Sequence, residues 1–455
     1  MSTAEIAPGK SLWLPENRRT TSAVLLLITI VAFEQLGIST AMPRMLADLD
    51  GTSLYSWPFT VFLSASVVST VVCGRIADRV GPARVLYVAP AVFLVGLLVA
   101  GTADTMAVLL VARALQGAGM GAEATCIYVL ITLVYPERSR PAAFGALSAA
   151  WVVPSIVGPT VAGVVTEQVG WRWVFLGLAP LAVLGALLLL PALRGLPRPD
   201  RSGTPAGRRW LPVAAVAAGV AIPVVSWAAQ HPSPLWLVAG VVGVVVLVAA
   251  LRTLLPKGTL RAARGLPRVV LSRGLFAGAF LAVEAFLPLT LASVHGYPLA
   301  LAGLPLTIAA LGWSGASHWQ GRHPEVERSA LIRWGFVVLG VALAAMTLVA
   351  VPGGPGWLAV PLWLFAGAGM GMAFPAISVL ALGRAPEHER GFVSAAVQVI
   401  DTVFAATTIA LGGVLLAGIA SAAEPTAAVV VLDLLMAAMA LGGALLFRRV
   451  RDAAV

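Results

Sequence analysis

Residues 117–121 read Gly-Ala-Gly-Met-Gly, and residues 367–371 read the same, 250 positions later (367 minus 117). Each copy lies inside a long apolar run, 106–134 and 356–383. Either run exceeds the ~20 helical residues needed to cross a hydrocarbon core of roughly 30 Å. Moving outward, the loops after the two copies match at the same offset: Pro136-Glu137 with Pro386-Glu387, and Arg140 with Arg390. Glu34 and Glu284, in two other apolar runs, are separated by the same interval. A Gly/Ala pentapeptide alone could recur by chance in a chain with 46 glycines, but several coincidences at one offset indicate a duplicated unit. Parallel halves of this kind place a binding site near the bilayer midplane, between them.

The whole chain fits that reading. Of its 455 residues 59% are hydrophobic and 11% charged, and the mean hydropathy is +0.93. A soluble domain of this size needs far more polar surface. Apolar runs separated by Gly, Pro and charges number fourteen: 20–42, 57–79, 84–103, 106–134, 141–166, 171–193, 211–229, 234–254, 269–294, 298–319, 329–351, 356–383, 391–418 and 425–447. The expected fold is therefore an all-α integral membrane protein. Two six-helix halves, 1–200 and 263–455, flank an insert of two further helices and basic linkers, 201–262. With the N-terminus inside, all but three of the 30 lysines and arginines fall in inner loops or at inner helix ends, as the positive-inside rule requires. Arg44 and Arg172 fall outside, and Arg113 falls within a span. Both termini are then cytoplasmic. The net charge of +10 is distributed as topology anchors, which excludes a nucleic-acid partner. Cys73 and Cys126 lie in apolar runs and read as small buried hydrophobes. The first run is too long for a signal-peptide core and is expected to stay as a helix. Arginine far outnumbers lysine, and Ala, Val and Gly dominate, which suggests a bacterial source and an inner-membrane location. Trp57, Trp171, Trp173, Trp236 and Trp357 stand at span ends and read as an interfacial belt.

Three segments carry a family resemblance. The loop after the second span reads Gly74-Arg-Ile-Ala-Asp78-Arg79-Val-Gly81-Pro-Ala-Arg84. The fourth span holds Arg113-Ala-Leu-Gln116-Gly117, and the fifth Pro154-Ser-Ile-Val-Gly158-Pro159-Thr-Val-Ala-Gly163. These resemble the cytoplasmic signature loop, the helix-4 motif and the helix-5 antiporter motif of the major facilitator superfamily. Ala83 stands where the family has a second basic residue, Pro154 and Ala162 replace the usual glycines, and the second half lacks a clear copy of the signature loop. With fourteen spans, the chain looks like the drug/proton antiporter branch. The resemblance implies a transporter working by alternating access, with Gly74, Asp78, Arg79, Gly81 and Arg84 as a gate that clips the halves together in one state. Alternatively, the arginines only orient helices. Gly74 and Gly81 would let the chain turn tightly. Pro154, Gly158, Pro159 and Gly163 serve either antiport or close helix packing.

Charges within the membrane are the candidate site, because each costs at least about 2.5–3.5 kcal/mol at a helix centre. Glu34 and Arg113 lie at comparable depth, on helices that line the same cavity face in the family, so a pair is expected. It serves either as a proton site or as a static ion pair. Glu284 and Asp401 sit near the midplane with no evident basic partner and read as proton- or substrate-binding groups. Glu123, nearer the inner side, extends a relay or meets a cationic substrate. Asp433 falls on a helix that is peripheral in the family. Gln35, Tyr128, Trp151 and Gln398 are candidate cavity contacts. There is no phosphate-binding GxxxxGK[ST] loop, and the five histidines lack metal-ligand spacing, so neither an enzyme, a metal nor a cofactor is expected. The leading expectation is a monomeric proton-driven exporter of small amphipathic molecules or drugs, of the kind that gives multidrug resistance. Lipid or glycolipid export through a lateral path opened by the extra helices, and proton-coupled uptake, are the alternatives. A non-transporting receptor fits least, since a scaffold has no use for buried carboxylates.

Overall fold

The computed structural model describes residues 12–15, 17–194, 196, 209–386 and 389–447. The repeat match at Glu387, the loop residue His388 and the basic tail Arg448, Arg449 and Arg451 lie outside the described residues. Within them the chain forms fourteen helices long and apolar enough to cross a membrane. They are α1 (Arg18–Asp48), α2 (Thr52–Val80), α3 (Pro82–Gly101), α4 (Met106–Val134), α5 (Glu137–Gln168), α6 (Arg172–Leu193) and α7 (Leu211–Gln230). The others are α8 (Pro234–Leu254), α9 (Leu266–His295), α10 (Leu299–Arg322), α11 (Arg328–Ala350), α12 (Gly356–Arg384), α13 (Arg390–Ile419) and α14 (Thr426–Leu445). No strand occurs among the described residues. The end of the molecule where α1 begins is called inner below.

Several spans are not single rods. α5 consists of Arg140–Ala149 and Val152–Gln168, α6 turns at Gly177-Leu178, and α10 turns at Gly303, in each case with a proline close behind. Proline removes an amide donor and disfavours helix in the residue before it, which opens the ladder there. Gly81 is the whole connection between α2 and α3, and its φ of 87° is a conformation that L side chains rarely adopt. Gly74 is different. It lies inside α2 and forms no turn, and a Cβ there would stand 3.3 Å from Thr125 of α4, so it serves helix packing.

The two copies of Gly-Ala-Gly-Met-Gly do the same work. A Cβ on Gly117 would strike the Phe62 carbonyl of α2, and one on Gly367 the Ala309 carbonyl of α10. Gly119 meets the backbone of Phe93 in α3, and Gly369 that of Gly335 in α11. Thus α4 packs on α2 and α3 as α12 packs on α10 and α11. Likewise α1 rests on α5 and α6, and α9 on α13 and α14. The two sets of six helices meet through α2 with α13, α5 with α10, and α1 with α9. Helix α7 lies against both α2 and α13, while α8 packs mainly on α7 and is the least enclosed span, 17% buried against 83% for α9.

Two of the tryptophans assigned to an interfacial belt do other things. Trp171 is fully buried and donates to Asp48 at 3.1 Å, tying α6 to α1. Trp57 donates to Gln230 of α7 at 3.2 Å. Trp173, Trp236 and Trp357 are exposed. Cys126 is buried, Cys73 half-buried, and both are free thiols.

Candidate functional site

Glu34 and Arg113 meet inside the first set of helices. The Arg113 guanidinium donates to Glu34 Oε1 from Nη1, to Gln116 Oε1 at 2.7 Å, and from Nε to the Pro58 carbonyl at 3.1 Å. It also lies over the Phe62 ring, 4.2 Å from the centroid. Both charged side chains are sealed from solvent, at 1% and 0% exposure, and the second Glu34 oxygen has no partner. A charge pair so enclosed offsets its desolvation only while both members and their hydrogen bonds remain in place.

About three turns from the inner end of α4 is a different arrangement. Glu123 of α4 is buried, and neither carboxylate oxygen has a hydrogen-bond partner. It borders a cavity of about 240 Å³ lined also by Tyr128, Ser148, Trp151, Met120 and Gln398. Trp151 occupies the break in α5 and lines the cavity, and Tyr128 stacks on Phe144 at 5.5 Å. Gln398 is contributed by α13, so the cavity lies between the two sets of helices. Gln35 is half-buried on α1 and does not line it.

One turn beyond Gln398 on α13 stands Asp401, and here the sequence expectation needs correction. Asp401 has a basic partner: Arg273 of α9 donates to its Oδ2 from Nε at 3.0 Å and from Nη2 at 2.8 Å. The same guanidinium stacks on Phe374, 3.4 Å from the ring centroid, and reaches the Phe374 carbonyl at 3.4 Å. Arg273 was counted as an inner topology anchor because it falls near the start of its apolar run. No sequence signal pairs it with Asp401, because only the packing of α9 against α13 brings the two together.

Glu284 has no hydrogen-bond partner among the described residues and is 8% exposed. Its repeat counterpart is Glu34, and the counterpart of Arg113 is Trp363. Trp363 is fully buried, stacks on Phe280 at 5.2 Å, and leaves its indole N–H unpartnered. The second set of helices therefore has an aromatic ring where the first has a guanidinium. Asp433, on α14 packed against α9 and α11, is 1% exposed, and neither of its oxygens has a hydrogen-bond partner among the described residues.

The helix-5 motif closes the outer end. Gly163 abuts the backbone of Leu299 and Ala300, the Pro159 carbonyl faces Gly303, and Thr160 and Thr307 hydroxyls lie 3.3 Å apart. Pro154 and Gly158 are buried along the same helix, Gly158 against Phe33 of α1. One turn further out, Glu167 accepts hydrogen bonds from the amides of Leu299 and Ala300, the latter at 3.4 Å. Tyr55 of α2 donates to the Ala285 carbonyl at 2.9 Å. At the inner end, Asp78, Arg79 and Arg84 are exposed, and no ion pair among the described residues joins Asp78 to either arginine. These polar contacts between the two sets of helices lie toward the outer end, and the cavity lies on the inner side of them.

Comparison with known proteins agrees with this architecture. The Major Facilitator Superfamily model matches residues 24–409. An uncharacterized transporter of Schizosaccharomyces pombe is 34% identical over 198 residues, 43% of this chain and 34% of the relative. An uncharacterized transporter of Mycobacterium tuberculosis is 33% identical over 197 residues, covering 43% and 29%. A protein named efflux pump dotC, from Dothistroma septosporum, is 31% identical over 153 residues, covering 34% and 26%. The matched segments thus span about a third or less of the length of these curated relatives. Among solved structures, a peptide transporter of the POT family superposes with a TM-score of 0.70 at 15% identity, over 96% of this chain and 99% of that one. A bacterial homologue of the human lysosomal transporter Spinster, described as inward-facing and unoccupied, gives 0.65 at 16% identity over 97% and 100%. At such identities the likeness concerns the fold.

Proposed function

This chain belongs to the major facilitator superfamily of membrane transporters, and from that premise we propose that it exports small amphipathic molecules by proton antiport. The moving bodies are the two halves, 1–200 and 263–455, with 201–262 as an inserted hairpin. The observation that carries the proposal is Glu123: a buried carboxyl with no partner among the described residues, beside a cavity between the halves walled by Tyr128 and Trp151. A neutral site has no use for such a group, because burying a carboxyl without a partner costs several kcal/mol at about the bilayer midplane. A cationic amine or a proton supplies the missing partner. Aromatic faces suit the apolar part of the same molecule, and Trp and Tyr also attract cations.

Alternating access then works as follows. With the outer ends sealed by α5 against α10, substrate enters from the inner side and meets Glu123, Tyr128, Trp151 and Gln398. The gating loop around Asp78 closes the inner side as the outer contacts release. Protons entering from outside neutralise carboxyls in the cavity, release the cargo and reset the halves. Glu284, which lacks a cation, serves as a proton site, whereas Glu34 is held by Arg113 as a structural pair. A charge moving with the field gains about 2.3 kcal/mol per 100 mV. The homologues named efflux pumps support the outward direction, and the arginine-rich composition supports a bacterial inner membrane with both termini in the cytoplasm. The lateral path needed for lipid export is disfavoured by α7, which fills the seam between α2 and α13.

The test is transport in proteoliposomes under an imposed proton gradient, screening cationic dyes and neutral analogues of the same shape. Gradient-driven movement of cations that Glu123→Gln abolishes supports the reading. Equal movement of cations and neutral analogues by the variant and the parent protein overturns it.

A further inference from the structure

A second elongated cavity, about 510 Å³, opens on the opposite side of the first half, away from the inter-half cavity. Its walls are α2 and α3 and its floor is α4. Ile76 and Val80 form one wall, Val88 and Val92 the other, and Ala118 the floor. The exposed side of α3 looks into lipid, since α3 packs on α2, α4 and α6. The lining is almost wholly apolar. Ser69 at the deep end is satisfied internally, bonding to the Ser66 and Gly117 carbonyls at 3.2 and 3.4 Å, so nothing deep in the groove asks for a polar ligand.

The one charged group on the lining is Arg84, at the inner mouth. It is exposed, and no ion pair or hydrogen bond engages it among the described residues. Residues 75–84 carry three arginines against the single carboxylate Asp78, and of the three Arg84 alone lines the groove. From Ser69 to Val80 the groove wall runs 11 residues of helix, about 16 Å at 1.5 Å per residue. That is about half of a ~30 Å hydrocarbon core, the depth of one leaflet. A groove of one leaflet's depth, almost wholly apolar and cationic only at headgroup level, has the length and polarity to take one acyl chain with an anionic headgroup at its mouth.

The geometry points to a binding site for an anionic phospholipid of the inner leaflet, with one acyl chain along the α2–α3–α4 groove and its phosphate on Arg84. Basic pockets between helices at the cytoplasmic side are suited to anionic headgroups, each arginine near the surface contributing about 1 kcal/mol. The site shares no residue with the lining of the inter-half cavity. It does share Arg84 with the gating loop, so an occupied groove holds Arg84 away from Asp78.

The experiment is native mass spectrometry of the full chain in detergent, titrated with phosphatidylglycerol or with phosphatidylcholine of identical acyl chains. The parent protein should retain one phosphatidylglycerol in preference to phosphatidylcholine. Arg84→Gln should reduce that preference about fivefold, the equivalent of about 1 kcal/mol, and Arg84→Lys should keep most of it. Val88→Trp and Ile76→Trp, which add bulk at exposed positions on opposite walls without touching the core, should weaken retention of both lipids. Glycerophosphate without acyl chains should not be retained. No preference for phosphatidylglycerol, a preference that survives Arg84→Gln, or retention unaffected by both tryptophans each overturns the site. Unchanged melting midpoints identify the variants as folded.

Discussion

Arg273 of α9 and Asp401 of α13 are joined through a single carboxylate oxygen, at 3.0 and 2.8 Å, one turn from Gln398 on the cavity wall. The pair is partly open, with side chains 16% and 21% exposed, in contrast to the sealed Arg113–Glu34 pair. Among the described residues, the first set of helices thus holds a sealed guanidinium–carboxylate pair in its interior, and the second set holds one within reach of water.

The sealed pair should behave as a structural unit. Glu34→Gln or Arg113→Met alone leaves a buried group without its partner, and each is expected to cost about 3–5 kcal/mol. Removing both with Glu34→Leu and Arg113→Met should cost markedly less than the sum of the two. Melting curves in detergent for the two single variants and the double provide the check, and simple additivity would argue against coupling.

The open pair should respond more gently. Asp401→Asn leaves Arg273 unneutralised near the cavity wall at Gln398, with its ring contact to Phe374 intact. The expected loss of stability is about 1 kcal/mol, since partly solvated pairs contribute little. The larger expected change is in selectivity, with cationic cargo repelled by the unneutralised arginine. Competition between a cation and its neutral analogue measures this directly.

Glu167 holds the amides at the start of α10 from across the half interface. Glu167→Ala should release them and favour opening at the outer side. An exposed hydrogen bond contributes about 1 kcal/mol, so the equilibrium should shift roughly fivefold. Spin-label distances between the outer ends of α5 and α10 should then show a larger long-distance population. An unchanged distribution would mean that the glycine contacts alone keep this end shut.

Glu284→Gln should uncouple transport from the proton gradient while leaving binding intact, whereas Glu123→Gln should weaken binding itself. Substrate-induced stabilisation and gradient-driven flux, measured on both variants, separate these outcomes. Loss of binding in Glu284→Gln would move this residue into the substrate site.

Much of this architecture was legible because a membrane makes certain residues conspicuous. Hydropathy marks every span, and the glycines of the repeated pentapeptide recur because no Cβ fits against the facing carbonyls at Phe62 and Ala309. Charged residues deep in apolar runs stand out for the same reason, which is how Glu34 and Arg113 could be matched by depth. What stayed hidden depends on rotation and docking. Arg273 sits near a helix end, where arginines are commonplace, and only the placement of α13 beside α9 gives it a partner. Gln398 faces Trp151 and Glu123 across the interface between the halves, a relationship that no hydropathy pattern contains. Gly74 was read as a turn residue because the signature loop begins there, yet α2 continues through it and turns at Gly81.

Helix α7 touches both halves, and the side chains that it buries are nearly all small: Ala214, Ala215, Ala218, Gly219, Ala221, Ser226 and Ala228, with Ile222 the one bulky exception. Interlocking knobs would have to climb over one another whenever α2 and α13 moved relative to this helix. A nearly smooth surface can slide. In the rocking motion proposed above, α7 would then act as a bearing, keeping lipid out of the seam while α2 and α13 move past it.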